Sequence, residues 1–400
     1  MEMKAIALLA IHCLALFYPG HGLSAHGPLT KEEDSELEAR LKTLNKPPVR
    51  TLKAFNGDII DCIDMYKQPA FDHPLLKNHK IEIKPSFLPL GVKKKRTAQA
   101  TPVEQPYLLG ECPNGTVPIR RTTKEDLIRH HFYGKTYVPK YNSSLVAPPL
   151  THFAYLSLEA YKRGPLFTAE GYIDVYNPNV EAGQFSTGQI LITDGPEELS
   201  ASKIEAGWMV NPNLYGDHLT HFFTRWTGGG GVGTGCYDMA CPGFVQTNPR
   251  IPVGFVLRNF SVYGHVPYDI VVQVGQRRRG SWWLFYGDKR DEIGYWPRNL
   301  FQYFSSGASR ISFGGQVGRA PNRPSPPMGS GHFPDHDFTH SSYIRLIRYR
   351  SSQKRLETPS RDGTATHVDV PLCYNVTDEG DLGGVTGYAT TFGGPGGNCD

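Results

Sequence analysis

The stretch SRISFGGQVG, residues 309–318, decides the fold class of this 400-residue chain. In an extended strand Ile311, Phe313 and Val317 would lie on one side, with small or polar residues on the other. Side chains along a β-strand point alternately to opposite faces, so the stretch predicts a strand with one face in an apolar core. The other face carries one long side chain, the amide of Gln316, among glycine and serine. This bare polar face is the first sign of a functional surface.

The chain from about residue 150 onward has a similar pattern of short, strand-like runs. Short alternating or aromatic runs recur between clusters of glycine, proline and asparagine, and few helix-length patterns interrupt them. These runs include HFAYLSLEAY, GYIDVYNP, QILITDG, KIEAGWMVNP, HFFTRWTG, DIVVQVGQ and SWWLFYGD. Short strands spaced in this way predict an all-β domain over residues 150–400, a sandwich or barrel of antiparallel strands.

Residues 26–140 predict a smaller accessory region that contains both helix and strand. Thr30 and Glu33 form a capping-box pattern, and leucines at helical spacing follow them. The Asn56–Gly57 pair then predicts the turn of a hairpin. The accessory region is therefore predicted to be α+β.

Two segments have patterns that are not typical of folded structure. Residues 1–25 contain Lys4, then a mostly apolar run and then small residues, which is the layout of a secretory signal peptide. The apolar run is too short to span a membrane. The basic run Lys93–Arg96 is interpreted as a solvated charge run, with a cleavage site for a basic-residue protease as the alternative. The sequence predicts a secreted, extracellular protein.

The composition argues against two classes of partner and agrees with secretion. Charged residues make up 20% of the chain and the formal net charge is +4, so no strong field favours nucleic acid or an anionic membrane. Six cysteines follow the signal peptide, and an even number suits disulfide bonds in an oxidising compartment. Other pairings are open, but spacing favours neighbours along the chain: Cys62–Cys112, Cys236–Cys241 and Cys373–Cys399. The candidate N-glycosylation sites are Asn114, Asn142, Asn259 and Asn375.

Two motif-like segments do not support a cofactor or metal. GGGGVGTG, residues 228–235, lacks the Gly-Lys-Ser/Thr ending of a phosphate-binding loop and is interpreted as a β-loop. HFPDHDFTH, residues 332–340, is rich in histidine and aspartate but has no helix to fix ligand spacing, so no metal site is assigned. No Gly-x-Ser-x-Gly motif and no unpaired thiol indicates a serine or cysteine nucleophile. We expect no cofactor.

Glu205 is the candidate catalytic carboxylate. In KIEAGWMV the residues Ile204, Ala206 and Trp208 share one face of a strand, and Glu205 lies on the other face beside a glycine. An acid next to a glycine suits a cleft that a substrate chain approaches closely. The alternative, which spacing alone favours, is a glutamate that faces water or pairs with an arginine such as Arg225.

Over nearly its full length the chain resembles the neprosin family of plant glutamic peptidases. DCIDMYKQPAFDHPLLKNH (61–79) and ECPNGTVPIRR (111–121) resemble the activation domain of that family. IEAGW (204–208), TGCYDMACPGFVQTN (234–248) and MGSGHFP (328–334) resemble its catalytic domain, in the same order. The resemblance implies a prodomain that inhibits the enzyme until it is removed. It also implies a curved antiparallel β-sandwich with acid-active endopeptidase activity, typically after proline, that uses two glutamates and no metal.

The resemblance carries one family glutamate onto Glu205 and the other onto Gln316, where a Gly-Gly-Glu strand reads Gly-Gly-Gln. Two carboxylates can share a proton, so that one acts as base while the other donates to the scissile carbonyl. Glutamine cannot ionise, but its N–H groups can donate to a developing oxyanion.

Three functions are compatible with this departure. The first is a glutamic peptidase with a Glu205/Gln316 pair that cleaves proline-containing polypeptides. The second is a catalytically impaired relative that binds proline-rich extracellular polypeptides. The third is a carbohydrate-binding β-sandwich, which the 12% aromatic content permits but no motif requires.

Overall fold

The computed structural model describes residues 30–85, 108, 110–129, 150–196, 200–229, 235–276, 280–319, 322–351 and 355–399. The predicted signal peptide, Lys93–Arg96, Asn142 and most of GGGGVGTG lie outside these residues. Within these ranges no helix combines the length and hydrophobicity that crossing a membrane requires.

The N-terminal region, residues 30–129 as far as described, combines a helix with a three-stranded antiparallel sheet. Its elements are α1 (Lys31–Leu44), β1 (Arg50–Lys53), β2 (Ile59–Asp64) and β3 (Thr116–Arg120). The predicted capping box begins α1: the N–H of Glu33 donates to Thr30 Oγ1 (3.2 Å), and the N–H of Thr30 donates to Glu33 Oε2 (3.0 Å). The predicted hairpin joins β1 to β2, and Gly57 at its turn has a φ of 92°. Both sequence predictions for this region are confirmed.

Six antiparallel strands form the first sheet of the larger domain. In spatial order they are β15 (Thr364–Val368), β4 (Leu150–Glu159), β13 (Arg310–Arg319), β6 (Phe185–Asp194), β7 (Ser202–Val210) and β8 (Thr220–Thr227). The strand predicted at residues 309–318 is β13, and it lies inside the sheet between β4 and β6.

Eight antiparallel strands form the second sheet. In spatial order they are β16 (Asn375–Asp381), β17 (Tyr388–Gly393), β14 (Ser342–Arg350), β5 (Thr168–Asp174), β10 (Asp269–Gln276), β11 (Trp282–Tyr286), β12 (Asp291–Trp296) and β9 (Val245–Gln246). Two single-turn helices, α2 (Ala160–Arg163) and α3 (Pro212–Tyr215), complete the domain with short 3-10 turns. The architecture is the predicted antiparallel β-sandwich, preceded by an α+β region.

The core lies between the two sheets. Ile311, Phe313 and Val317 of β13 are fully buried in it, as their alternation predicts. Trp208 of β7 is also fully buried, and its Nε1–H donates to the backbone carbonyl of Asp174 on the opposite sheet (2.6 Å). Burying an aliphatic or phenylalanine side chain contributes about 1.5–3 kcal/mol to the free energy of folding. The apolar faces of β13 and β7 are therefore held in the core, and only their opposite faces can carry a site.

The N-terminal region is packed onto the sandwich by the segment that follows β2. The side chain of Gln68 donates to the carbonyl of Gln246 (3.0 Å) and accepts from the N–H of the same residue (2.8 Å). Leu76 is fully buried as a member of the sandwich core. Part of the N-terminal region is therefore integral to the larger domain in this structure.

Three disulfide bonds join neighbouring cysteines along the chain, in the pattern that spacing favours. They are Cys62–Cys112, Cys236–Cys241 and Cys373–Cys399. The first closes the N-terminal sheet, the second a short loop after β8, and the third the C-terminal segment. Each shortens a loop in the unfolded chain and so stabilises the folded one.

A pair of buried carboxylates lies on the second sheet, where Asp174 of β5 is directly opposite Asp269 of β10. Asp174 accepts from the hydroxyl of Ser261, and Asp269 accepts from Tyr343 (3.1 Å) and Arg345 (2.6 Å). Burial raises the pKa of Asp174 well above its usual range, and the charge of Asp269 adds to the rise. Burial also raises the pKa of Asp269, against the lowering effect of Arg345.

This pair predicts a fold that gains stability in acid. The unfolded chain titrates Asp174 near its ordinary pKa of 3.8, and the folded chain holds the proton to higher pH. The stabilisation is full below the unfolded pKa and is lost as pH rises toward the folded pKa, at up to about 1.4 kcal/mol per pH unit. Asp174→Asn should therefore gain in melting temperature, relative to the natural protein, as pH rises above about 4. Asp381→Asn, at an exposed site, is the control, and parallel curves for the natural protein and Asp174→Asn would contradict the assignment.

Candidate active site

Two glycines and one glutamine form a row across the face of the six-stranded sheet that is turned away from the core. In register across the sheet, Gly314 of β13 pairs with Gln189 of β6, and Gln189 pairs with Gly207 of β7. A Cβ atom on Gly207 would lie 2.1 Å from the carbonyl oxygen of Gly188, and one on Gly314 would lie 2.1 Å from that of Ala154. Neighbouring backbone therefore occupies the space of a side chain, an arrangement that lets a sheet curve. We call Gly314, Gln189 and Gly207 the glycine row.

The bare face of β13 has a structural cause that the sequence did not reveal. The sequence interpretation assigned the bareness of this face to a substrate, whereas Gly314 is required by the close backbone of β4. Gly318 is required by the ring of Phe185, which lies 2.1 Å from where its Cβ would be. The surface remains bare, since Gln189 alone has a side chain in the row.

Glu205 and Gln316 lie on the same face, on opposite sides of the glycine row. Glu205 is in register with Leu191 and Gln316 with Thr187, and both of these partners belong to β6. The two residues are thus two strands and four positions apart, which places their Cα atoms about 16 Å from each other in an uncurved sheet. No hydrogen bond joins their side chains among the described residues, so they face each other across the row without forming a contacting pair.

Glu205 is ion-paired with Arg225, directly opposite on β8. Arg225 Nη1 donates to Glu205 Oε1 at 2.7 Å, and the glutamate is only 4% exposed. The guanidinium also lies over the ring of Tyr237, 5.4 Å from its centroid. The partner that residue spacing alone suggested for Glu205 is therefore present. The ion pair uses Oε1 of Glu205, and Oε2 of Glu205 makes no hydrogen bond within the described part of the chain.

Tyr237 belongs to the loop closed by the disulfide between Cys236 and Cys241. The adjacent Asp238 anchors this loop: its carboxylate accepts from the N–H of Thr224 (2.8 Å) and from the hydroxyl of Tyr215 (2.9 Å). Burial raises the pKa of Asp238 to about 6, against the lowering effect of these hydrogen bonds. The loop thus holds an aromatic ring against the arginine that pairs with Glu205.

Gln316 presents a neutral amide to the same face. Its backbone exchanges two hydrogen bonds with the hydroxyl of Thr187, each 3.0 Å long. Its half-buried side chain makes no hydrogen bond to any described residue. The amide is therefore available to donate to a carbonyl oxygen or to accept from water.

Other polar side chains of this face were not singled out from the sequence. Gln189 of the glycine row is fully buried and donates from Nε2 to the hydroxyl of Tyr155 (2.8 Å). Ser157 and Ser312 share a hydrogen bond between their hydroxyls (2.8 Å). Alternation in QILITDG places the amide of Gln189 on the face away from the core, which is the signal that would have identified it.

The histidine-rich segment HFPDHDFTH forms ion pairs. His340 Nδ1 lies 2.8 Å from Asp335 Oδ2, and that hydrogen bond raises the pKa of His340. His336 pairs with Glu379 (2.9 Å). In the part of the chain that the structure describes, no group of three or more potential ligands is placed to hold a metal ion.

The candidate site is the face of the six-stranded sheet on which a glutamate and a glutamine lie across the glycine row. Comparison with known families gives the class: the Neprosin family model matches residues 182–395, and the model of the Neprosin activation peptide matches residues 51–152. The chain belongs to the neprosin family and carries its activation peptide.

The chain also matches solved structures that are distant in sequence. Scytalido-glutamic peptidase with a peptide-based transition-state analogue is 10% identical, covering 62% of this chain and 98% of that chain, with a TM-score of 0.34. SCP-B, a member of the Eqolisin family in complex with the tripeptide Ala-Ile-His, is 8% identical over 61% and 98%, with a TM-score of 0.32. The IT-sialidase CBM40 of Ruminococcus gnavus bound to α2,6 sialyllactose is 10% identical over 42% and 88%, with a TM-score of 0.22.

The ion pair between Glu205 and Arg225 predicts a measurable coupling. Arg225→Met leaves a buried carboxylate without its partner and should lower the free energy of unfolding by about 1–3 kcal/mol. Adding Glu205→Gln should recover most of that loss, because a neutral amide needs no counter-charge. Chemical denaturation of the two single variants and the double variant measures the coupling. Additive effects would show that the two side chains do not interact in solution.

Proposed function

We propose that the chain is the secreted precursor of a glutamic-type endopeptidase that cleaves polypeptides after proline at acid pH, with Glu205 and Gln316 as its reacting residues. The observation that carries the proposal is their placement on one face, on either side of the glycine row. Each keeps a polar group without a partner among the described residues: Oε2 of Glu205 and the amide of Gln316. In this proposal a peptide segment and a water molecule lie between them.

The chemistry needs one base and one neutral donor. The Glu205 carboxylate takes a proton from water, and the water oxygen attacks the scissile carbonyl carbon. The carbonyl electron pair moves to oxygen, where an N–H of Gln316 stabilises the developing charge. The Glu205 carboxylic acid then returns the proton to the amide nitrogen as the C–N bond breaks. No cofactor or metal enters these steps.

Proline preference and acid activity come to this proposal from the family resemblance. Gln316 modifies the acid dependence, because an amide donates at any pH and needs no added proton. A protonated carboxyl in that position would lose its donor as pH rises. The natural protein is therefore proposed to work in acid and to keep activity toward neutral pH.

The N-terminal region inhibits the enzyme in this proposal, and it acts through the disulfide loop after β8. Arg40 of α1 donates to the carbonyl of Ala240 (3.1 Å). Met239 packs against three apolar residues of the N-terminal sheet, namely Ile63, Val117 and Ile119. The same loop holds Tyr237 beside Arg225, which pairs with Glu205. Removing the N-terminal region would remove these contacts from the loop that holds Tyr237 against Arg225.

Secretion is supported by the signal-peptide pattern at residues 1–25, by the disulfide bonds and by exposed sequons. Disulfide bonds persist mainly in oxidising compartments. Asn114, Asn259 and Asn375 are all exposed, as glycosylation requires.

An alternative is a catalytically impaired relative that binds proline-rich extracellular polypeptides in the same cleft. One specific observation favours it: Arg225 holds Glu205 Oε1 at 2.7 Å, while the opposite position carries an amide that cannot pass a proton. Both readings use the same surface and differ in whether the bound peptide is cleaved.

A hydrolysis assay separates the peptidase from the impaired relative. The full chain is incubated in acid with proline-containing peptides, and the products are identified by mass spectrometry. We expect cleavage by the natural protein and a loss of about 10²–10⁴-fold in Glu205→Gln, which removes the base. Glu292→Gln is the matched control, since it makes the same change on β12 of the other sheet and should keep full activity. Silence from the natural protein with cleavage by Gln316→Glu would establish the alternative.

A further inference from the structure

Gln189 occupies the centre of the face that holds Glu205 and Gln316. It lies on β6, between the strand that carries Gln316 and the strand that carries Glu205. Both of its neighbours in register are glycines, Gly314 and Gly207. A peptide that contacts Glu205 and Gln316 together must pass over this side chain.

The carbonyl oxygen of Gln189 has no hydrogen-bond partner, although the side chain is fully buried. Most buried polar atoms in folded proteins are paired, so an unpaired one on the face of a candidate site calls for an explanation. Leaving a buried acceptor unpaired is unfavourable. This acceptor is unsatisfied and covered in the structure, so a polypeptide reaches it only once what covers the face is displaced.

The other end of the Gln189 amide is held in place. Its Nε2 donates to the hydroxyl of Tyr155 (2.8 Å), on the far side of Gly314. The ring of Tyr155 in turn stacks on Phe153, with centroids 5.6 Å apart. Because Nε2 is held by Tyr155, Oε1 is the end of the amide that remains to accept a hydrogen bond.

We propose that Gln189 is a substrate-positioning residue whose Oε1 accepts a backbone N–H of an extended polypeptide bound between Glu205 and Gln316. This inference rests on the proposed function, because it takes the same face as the peptide-binding cleft. Backbone N–H groups are the donors that every polypeptide offers, so the contact aligns the chain without reading its side chains. A proline at the contacted position has no N–H and is excluded there.

N-methylation of the peptide, one backbone nitrogen at a time, tests the contact. The probes are eleven-residue proline-containing peptides, among them TAQATPVEQPY, copied from residues 97–107 of this chain. The peptide of this set that binds best to the acid-incubated full chain is chosen for methylation. Its affinity is measured by fluorescence anisotropy, and kcat and KM are also measured if it is cleaved. We expect methylation at one nitrogen to weaken binding to the natural protein by about 3–10-fold.

In Gln189→Leu, methylation of the same peptide nitrogen should no longer weaken binding, while methylation of the other nitrogens should weaken binding as much as it does with the natural protein. Tyr155→Phe, which releases the amide, should reduce the penalty at the same nitrogen. Gln273→Leu is the matched control: Gln273 is equally buried on β10 of the other sheet, with both amide atoms unpaired, and its replacement should leave the methylation profile unchanged.

The outcomes separate this inference from the proposed function. An unchanged methylation profile in Gln189→Leu overturns the role of Gln189, even where cleavage by the natural protein upholds the peptidase. Binding without cleavage, with the methylation effect lost in Gln189→Leu, upholds the role of Gln189 and contradicts the peptidase. Failure of every peptide to bind overturns both.

Discussion

The close approach of backbones at Gly207 and Gly314 is the constraint on which the rest of the site depends. Neither residue can carry a side chain, because carbonyl oxygens of the adjacent strands lie 2.1 Å from where a Cβ would be. The face between β13 and β7 is consequently bare except for Gln189. Glu205 and Gln316 lie on either side of this row, and the register of β6 sets their backbones far apart.

Charge balance at Glu205 determines which chemistry the face can perform. In a site with two carboxylates, repulsion between like charges keeps one of them protonated. Here Gln316 removes that repulsion, and Arg225 supplies an opposite charge on the other side. The glutamate is ion-paired with a neighbour on β8, and in the proposed function the group opposite it is a neutral hydrogen-bond donor. The loop of Tyr237 and Asp238 links this arrangement to the N-terminal region, so the state of the precursor bears on the arginine.

Alternation and turn signals were sufficient to predict the fold. The apolar positions of SRISFGGQVG and KIEAGWMV are the buried core positions, because a period of two leaves one choice of face once the apolar set is known. The arrangement of strands within each sheet could not be read in this way, since β13 lies between β4 and β6 through contacts distant in sequence. The residues of the candidate site were proposed from the sequence, but the geometry between them could not be. The separation of Glu205 and Gln316 depends on register across β6, and the role of Gln189 depends on a hydrogen bond to Tyr155 that no local pattern encodes.

The pH dependence of kcat/KM, measured for the natural protein and for Gln316→Glu, tests the central claim most directly. If only one member of the pair can ionise, the profile should have a single limb, because the rate then depends on the protonation of one group, the general base Glu205. Gln316→Glu should restore a bell-shaped profile, since two carboxyls must then hold opposite protonation states. A bell-shaped profile in the natural protein that Gln316→Glu leaves unchanged would show that another group supplies the proton, and would contradict the pairing of Glu205 with Gln316.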